Sequence, residues 1–158
     1  EGQGFYLAVE QFDFMRPSLG LCALGSAETS LAEAMDYAKE RTAFGQPIAR
    51  FEGVSFKIAE AATLIETGKL LCYRSFWLLD QGLPCTKESA MCKWWCPQLA
   101  VRVVHDCLLI FGHVGYSDEL PIEQRLRDVV GYEMADGTAQ TMKLIITREL
   151  LGREFLPY

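Results

Sequence analysis

Apolar positions recur every three or four residues along almost the whole chain, the period of an α-helix that buries one face. The first such stretch runs from about Gln11 to Thr42, with the small residues Gly20, Ala23, Gly25 and Ala27 set among the apolar ones. Small residues let a neighbouring backbone or a flat ligand come close. Pro17 follows Arg16 and marks a helix start near that point. The segment Thr42-Ala43-Phe44-Gly45-Gln46-Pro47 breaks the pattern with its Gly and Pro.

A second helix is predicted from Glu52 to Asp80, with Val54, Ile58, Ala61, Ile65, Cys72, Phe76 and Leu79 on one side and Leu64, Leu71 and Leu78 on another. An apolar surface wider than one stripe has to be covered twice, within the domain and against something else. Gln81-Gly82-Leu83-Pro84 ends it, and a third helix follows from Thr86 to Phe111, perturbed by Pro97. A glycine turn, Gly112 to Tyr116, leads to Pro121, which opens a short helix to about Val130; a last helix runs from near Thr138 to Phe155. No segment shows sustained strand alternation, and there is no repeat or low-complexity linker. The reading is one all-α domain over residues 1–158, an antiparallel four-helix bundle with an additional short helix.

Composition narrows the function. Half of the 158 residues are hydrophobic and 23% are charged, which fits a globular protein and argues against disorder. A net charge of −6 argues against an electrostatic grip on nucleic acid or anionic membrane, although clustered arginines can still hold an anionic cofactor. The six cysteines lie mostly in apolar helical segments and read as reduced, buried thiols of a cytosolic protein. Cys92 and Cys96, one turn apart with His105 and Cys107 downstream, raise a metal site, but the spacing is weak and Pro97 intervenes, so core packing is preferred and no metal is expected. Charges interrupt every apolar run before it reaches bilayer length, so no membrane span is expected. The chain opens at Glu1 without a methionine, which reads as a boundary inside a longer protein.

Three segments, in order along the chain, carry a specific signal. They are Arg41-Thr42-Ala43-Phe44-Gly45-Gln46-Pro47-Ile48; Gly112 to Asp128, with Gly115, Tyr116, Pro121 and Arg127; and Asp136-Gly137-Thr138-Ala139-Gln140. Together they resemble the C-terminal helical domain of the acyl-CoA dehydrogenase family: its Arg-x-x-Phe-Gly-x-Pro-Ile turn, its glycine turn with an Arg-Asp signature, and its Glu-Gly-Thr-x-Gln segment. The interval from Asp128 to Asp136 is the family's own. The family's N-terminal helical and central β domains then lie outside this chain.

The resemblance implies site residues. Arg41, in the turn with Phe44, would reach across a subunit interface to the FAD pyrophosphate of a neighbouring subunit, a chemistry that suits a guanidinium. Thr138 and Gln140 would help hold FAD, at a helix start where backbone N–H groups suit phosphate. Asp136 stands where the family has its catalytic glutamate, the base for the α proton of the acyl thioester. Asp13, Arg16 and Gly137 match positions on the substrate side, while Met15 stands where some members place the carboxylate instead. Leu109, His113 and Glu52 depart from the family pattern. Local readings remain beside these: Arg41 as a solvated residue at a helix C-terminus, Asp136 or Thr138 as a helix cap, and Asp13 with Arg16 as an exposed ion pair.

The implied enzyme is an FAD-dependent oxidoreductase that desaturates an acyl-CoA and passes electrons to an electron-transferring flavoprotein. It would be a homodimer or homotetramer, cytoplasmic or, in a eukaryote, in the mitochondrial matrix. A non-catalytic interaction module on the same scaffold, or a flavin-dependent monooxygenase, are the competing expectations.

Overall fold

The computed structural model of the chain describes residues 2–156. Six helices follow one another: α1 (Gly4–Glu40), α2 (Glu52–Asp80), α3 (Thr86–Phe111), α4 (His113–Tyr116), α5 (Ile122–Met134) and α6 (Ala139–Leu151). Between α1 and α2 lie two short antiparallel strands, β1 (Thr42–Ala43) and β2 (Gln46–Pro47), with Thr42 opposite Pro47 and Ala43 opposite Gln46. The domain is otherwise helical, as its periodicity predicts.

Helix α3 is the centre of the bundle and packs against α1, α2, α5 and α6. Close approach is built in by small residues. The buried face of α1 reads Gly20, Ala23, Leu24, Ala27, Ser30, Leu31, Ala34, Ala38, a set in which each residue has a partner three or four positions away. A Cβ on Gly20 would stand 3.1 Å from Cys72 Sγ, and one on Gly68 would stand 2.9 Å from Leu24 Cδ1 and 3.2 Å from Leu99 Cδ1. The cysteines fill this junction: Cys72, Cys92 and Cys96 are fully buried, with Cys72 Sγ 3.5 Å from Cys96 Sγ. Cys22 differs from the expected buried thiols in being exposed.

Several boundaries depart from the sequence pattern. Helix α1 begins at Gly4 and runs through Pro17, instead of starting near Gln11 or Pro17. Proline removes one helical hydrogen bond, and α3 braces that stretch from outside the helix: Ser89 Oγ donates to the Phe12 carbonyl at 3.1 Å, and Thr86 Oγ1 to Asp13 Oδ2 at 2.6 Å. Helix α3 likewise continues through Pro97. Gly112 to Tyr116 is no open turn but a single helical turn after Gly112, whose φ of 68° ends α3. The short helix α5 extends to Met134 and equals α6 at 13 residues, while Gly152, with φ 100°, stops α6 before Phe155.

Candidate functional site

The connection from α5 to α6 carries one of the two left-handed pairs among the described residues. Asp136 has φ 53° and Gly137 has φ 105°, two successive residues in the left-handed half of conformational space. Aspartate is one of the few side chains that tolerates this, because its short polar group bonds locally. Gly137 has a second reason to be glycine: a Cβ there would meet Met142 Cε at 3.0 Å. Thr138 then turns extended and caps α6, accepting from Thr141 N at 3.5 Å. The capping alternative therefore falls to Thr138, and the Asp136 side chain is exposed. Gln140 is exposed in the first turn of α6.

Beneath this loop lies Lys93 of α3, 1% exposed. Its ammonium donates to the carbonyls of Tyr132 at 2.9 Å and Gly137 at 3.0 Å, with that of Glu133 at 3.5 Å. An ammonium has three protons and no acceptor, so these oxygens account for its donors. Two of them are the carbonyls left over at the C-terminus of α5, where a cation is also favoured by the helix dipole. Burial pushes the Lys93 ammonium below its ordinary pKa; the negative charges of Asp136 and Glu133 oppose that, and Arg16 adds to it. Sequence reasoning missed Lys93. The available signal is a lone charge in the apolar run Ala90-Met91-Cys92-Lys93-Trp94-Trp95-Cys96.

Arg16 and Asp13 are not the exposed ion pair of the local reading. Arg16 is 6% exposed, with its guanidinium 4.9 Å from the Phe12 ring centroid, and Asp13 is engaged by Thr86. Burial lowers the Arg16 pKa, the carboxylates of Asp13 and Asp136 hold it up, and Arg148 adds to the lowering. Arg16 Nε and Asp13 Oδ1 are both buried without a hydrogen-bond partner. A buried donor and a buried acceptor left unpaired are a condition that a polar ligand relieves. The structure thus gathers Asp13, Arg16, Lys93, Asp136 and Gly137 at one place, with the start of α6 adjoining.

Arg41 and Phe44 are elsewhere. Arg41 caps the far end of α1, and 25 residues separate it from Arg16, about 37 Å along a helix at 1.5 Å per residue. Phe44 and Gly45, with φ 51° and 80°, form the two-residue turn between β1 and β2, which holds Phe44 96% exposed. Arg41 is also exposed. One chain therefore cannot bring Arg41 and Phe44 to its own Asp136. Leu109, His113 and Glu52 are exposed as well.

Among the described residues, no group of three or more His, Cys, Asp and Glu side chains is arranged to hold a metal ion, and no helix is long and apolar enough to cross a membrane. A second pairing unforeseen from the sequence ties α1 to α5: Arg125 donates to both carboxylate oxygens of Glu33, at 2.6 and 2.8 Å.

The family described as "Acyl-CoA dehydrogenase, C-terminal domain" matches residues 2–151. A Bacillus subtilis protein named acyl-CoA dehydrogenase is 40% identical over 152 residues, 96% of this chain and 40% of that protein. The cyclohexane-1-carbonyl-CoA dehydrogenase of Geobacter metallireducens is 36% identical over 151 residues, again 96% of this chain and 40% of that protein. Among solved structures, butyryl-CoA dehydrogenase from Megasphaera elsdenii superposes with a TM-score of 0.93 at 34% identity, covering 96% of this chain and 39% of the other. The chain thus spans about two fifths of the length of these relatives.

Proposed function

Because the chain belongs to the acyl-CoA dehydrogenase family, as its C-terminal domain, we propose that it forms the helical wall of the active site in an FAD-dependent enzyme that oxidises an acyl-CoA between Cα and Cβ. The observation that carries this is the α5–α6 loop, which exposes the Asp136 carboxylate beside the buried, unpaired Arg16 Nε and Asp13 Oδ1. In this reading Asp136 takes the α proton, which the thioester has already acidified, onto a carboxylate oxygen. Arg16 and Asp13 offer the polar contacts that orient the substrate.

A solved structure at 29% identity and a TM-score of 0.92 is an FAD complex of PigA, which supports FAD as the cofactor of this site. The residues present suit that cofactor: Thr138 and Gln140 stand at the start of α6, where the first-turn N–H groups and the positive dipole end favour an anionic or polar group. FAD, when bound, supplies the acceptor for the β hydrogen as hydride. Arg41 and Phe44, remote from Asp136 in the same chain, fit the FAD of a neighbouring subunit, so the site is assembled from two copies. The exposed Phe56, Leu70, Tyr73 and Trp77 follow one stripe of α2 and support assembly into a dimer or a dimer of dimers. Electrons would leave to an electron-transferring flavoprotein.

An aspartate reaches about 1.5 Å less far than a glutamate, one C–C bond. A bulkier branched or alicyclic acyl group brings its α carbon nearer the carboxylate, and that reach argument carries the substrate class, since relatives of similar identity include both a cyclohexane-1-carbonyl-CoA dehydrogenase and short-chain specific dehydrogenases. The test is the whole protein carrying Asp136→Asn, followed by anaerobic bleaching of flavin absorbance with cyclic and linear acyl-CoAs. Bleaching that collapses in the variant, and favours cyclic substrates in the parent, is expected. Unchanged bleaching in the variant refutes the assignment of the base and favours a site elsewhere.

A further inference from the structure

The backbone that presents Asp136 is strained, and something must hold it. Asp136, a non-glycine residue at φ 53°, carries a cost of about 1–3 kcal/mol that its contacts must offset. Thr138 secures the loop on the α6 side through a cap of 3.5 Å, a long contact. On the other side the restraint is Lys93, whose ammonium binds the chain both before the left-handed pair, at Tyr132 and Glu133, and at Gly137 within it. We propose that Lys93 is a positioning residue for the proton-abstracting carboxylate: by clamping carbonyls on both sides of Asp136 to α3, the most embedded helix of the bundle, it fixes where that carboxylate stands.

The inference rests on the reading of Asp136 as the base. Its geometry is specific. A lysine is almost never fully buried unless paired, and Lys93 is buried without an ion-pair partner among the described residues, its hydrogen bonds going to backbone carbonyls. The charges that surround it are Arg16 of α1, Glu133 of α5 and Asp136 of the loop, with Arg148 of α6 and Asp13 of α1 acting on Arg16 in turn. An ammonium here does two things. It joins three carbonyl oxygens that no single neutral side chain can join, and it places a fixed positive charge under the carboxylate. Lys93 does not touch the reacting atoms; it acts through Asp136.

The experiment is a double-mutant cycle in the whole, FAD-loaded protein, with Lys93→Met, Lys93→Arg and Asp136→Asn singly and combined. The rate of flavin reduction at saturating acyl-CoA is read by anaerobic stopped flow, alongside KM and flavin content. A 1 Å displacement of a reacting group costs on the order of 100-fold, so Lys93→Met should lose about that factor in rate with KM changed by less than about threefold. Lys93→Arg keeps the charge but not the shape, and should recover about tenfold of the loss on the same positional scale. In the Asp136→Asn background both Lys93 substitutions should be nearly silent. The same fold-loss in both backgrounds, or a wild-type rate in Lys93→Met, overturns the proposal. If Lys93→Met does not fold, Lys93→Arg decides by its own cycle: a rate loss that vanishes with Asp136→Asn supports positioning, and a wild-type rate or an additive loss overturns it. A wild-type rate in Asp136→Asn alone overturns the base assignment itself, and is read separately from the cycle.

Discussion

Substituting Gly68 by alanine puts the packing of α2 against α1 and α3 to a quantitative test. An alanine Cβ would lie 2.9 and 3.1 Å from the two terminal carbons of Leu24 and 3.2 Å from Leu99 Cδ1. Carbon pairs sit best at about 3.5–4.0 Å, so at least Leu24 must move by several tenths of an ångström. Leu24 has 0% and Leu99 3% exposure, which leaves neither any solvent to move into. Overpacking of this kind costs about 1–3 kcal/mol, whereas alanine in place of glycine in a helix contributes about 1 kcal/mol. Gly25, inside α1 with nothing within 4 Å of its would-be Cβ, supplies the control, because it receives the helix gain alone. The difference between Gly68→Ala and Gly25→Ala then isolates the clash at about 1–3 kcal/mol. At about 2–4 °C per kcal/mol for a domain of this size, Gly68→Ala should melt about 2–12 °C below Gly25→Ala. The assay is thermal unfolding followed by circular dichroism at 222 nm. Equal melting temperatures, or a more stable Gly68→Ala, would show that the three helices do not meet as closely as these distances state.

The Glu33–Arg125 pair predicts an acid-sensitive contact. The hydrogen bond from Arg125 holds the Glu33 carboxyl below its ordinary pKa, against the opposing effect of burial. A depressed folded pKa stabilises above the ordinary value of 4.5 and is lost as the pH falls from there through the folded value. Glu33→Gln should therefore lower the melting temperature at pH 7 and narrow the gap to wild type as the pH drops below 4; a gap independent of pH refutes the linkage. Gly137→Ala should lower flavin reduction in the whole protein and cost the fold about 1–3 kcal/mol, since it combines an unfavourable φ with a Cβ against Met142; wild-type stability and rate would contradict the strain assigned to the loop. The domain produced by itself should self-associate through the exposed α2 stripe yet copurify without stoichiometric flavin, which light scattering and visible absorbance would show.

Periodicity in the sequence located the helices α2 and α3 at about their observed bounds, because an amphipathic stripe bounded by Gly and Pro leaves little freedom about where a helix lies. The segment Asp136-Gly137-Thr138 was legible through its resemblance to the family's pattern, since that signal is contiguous in the chain. What periodicity could not reach was decided by contacts between distant segments. Helix α1 passes through Pro17 with Thr86 and Ser89 of α3 bonded to the Asp13 side chain and the Phe12 carbonyl, and those hydrogen bonds exist only once the two helices are packed. Arg16 reads as a surface charge and is buried for the same reason. Lys93 resembles any stray lysine in an apolar helix until the carbonyls of Tyr132 and Gly137, about forty residues later, are brought onto it. The separation of Arg41 from Asp136 is likewise a matter of geometry: both belong to one sequence pattern, but a continuous helix of 37 residues sets Arg41 beyond its C-terminus, away from the Arg16 cluster near its start.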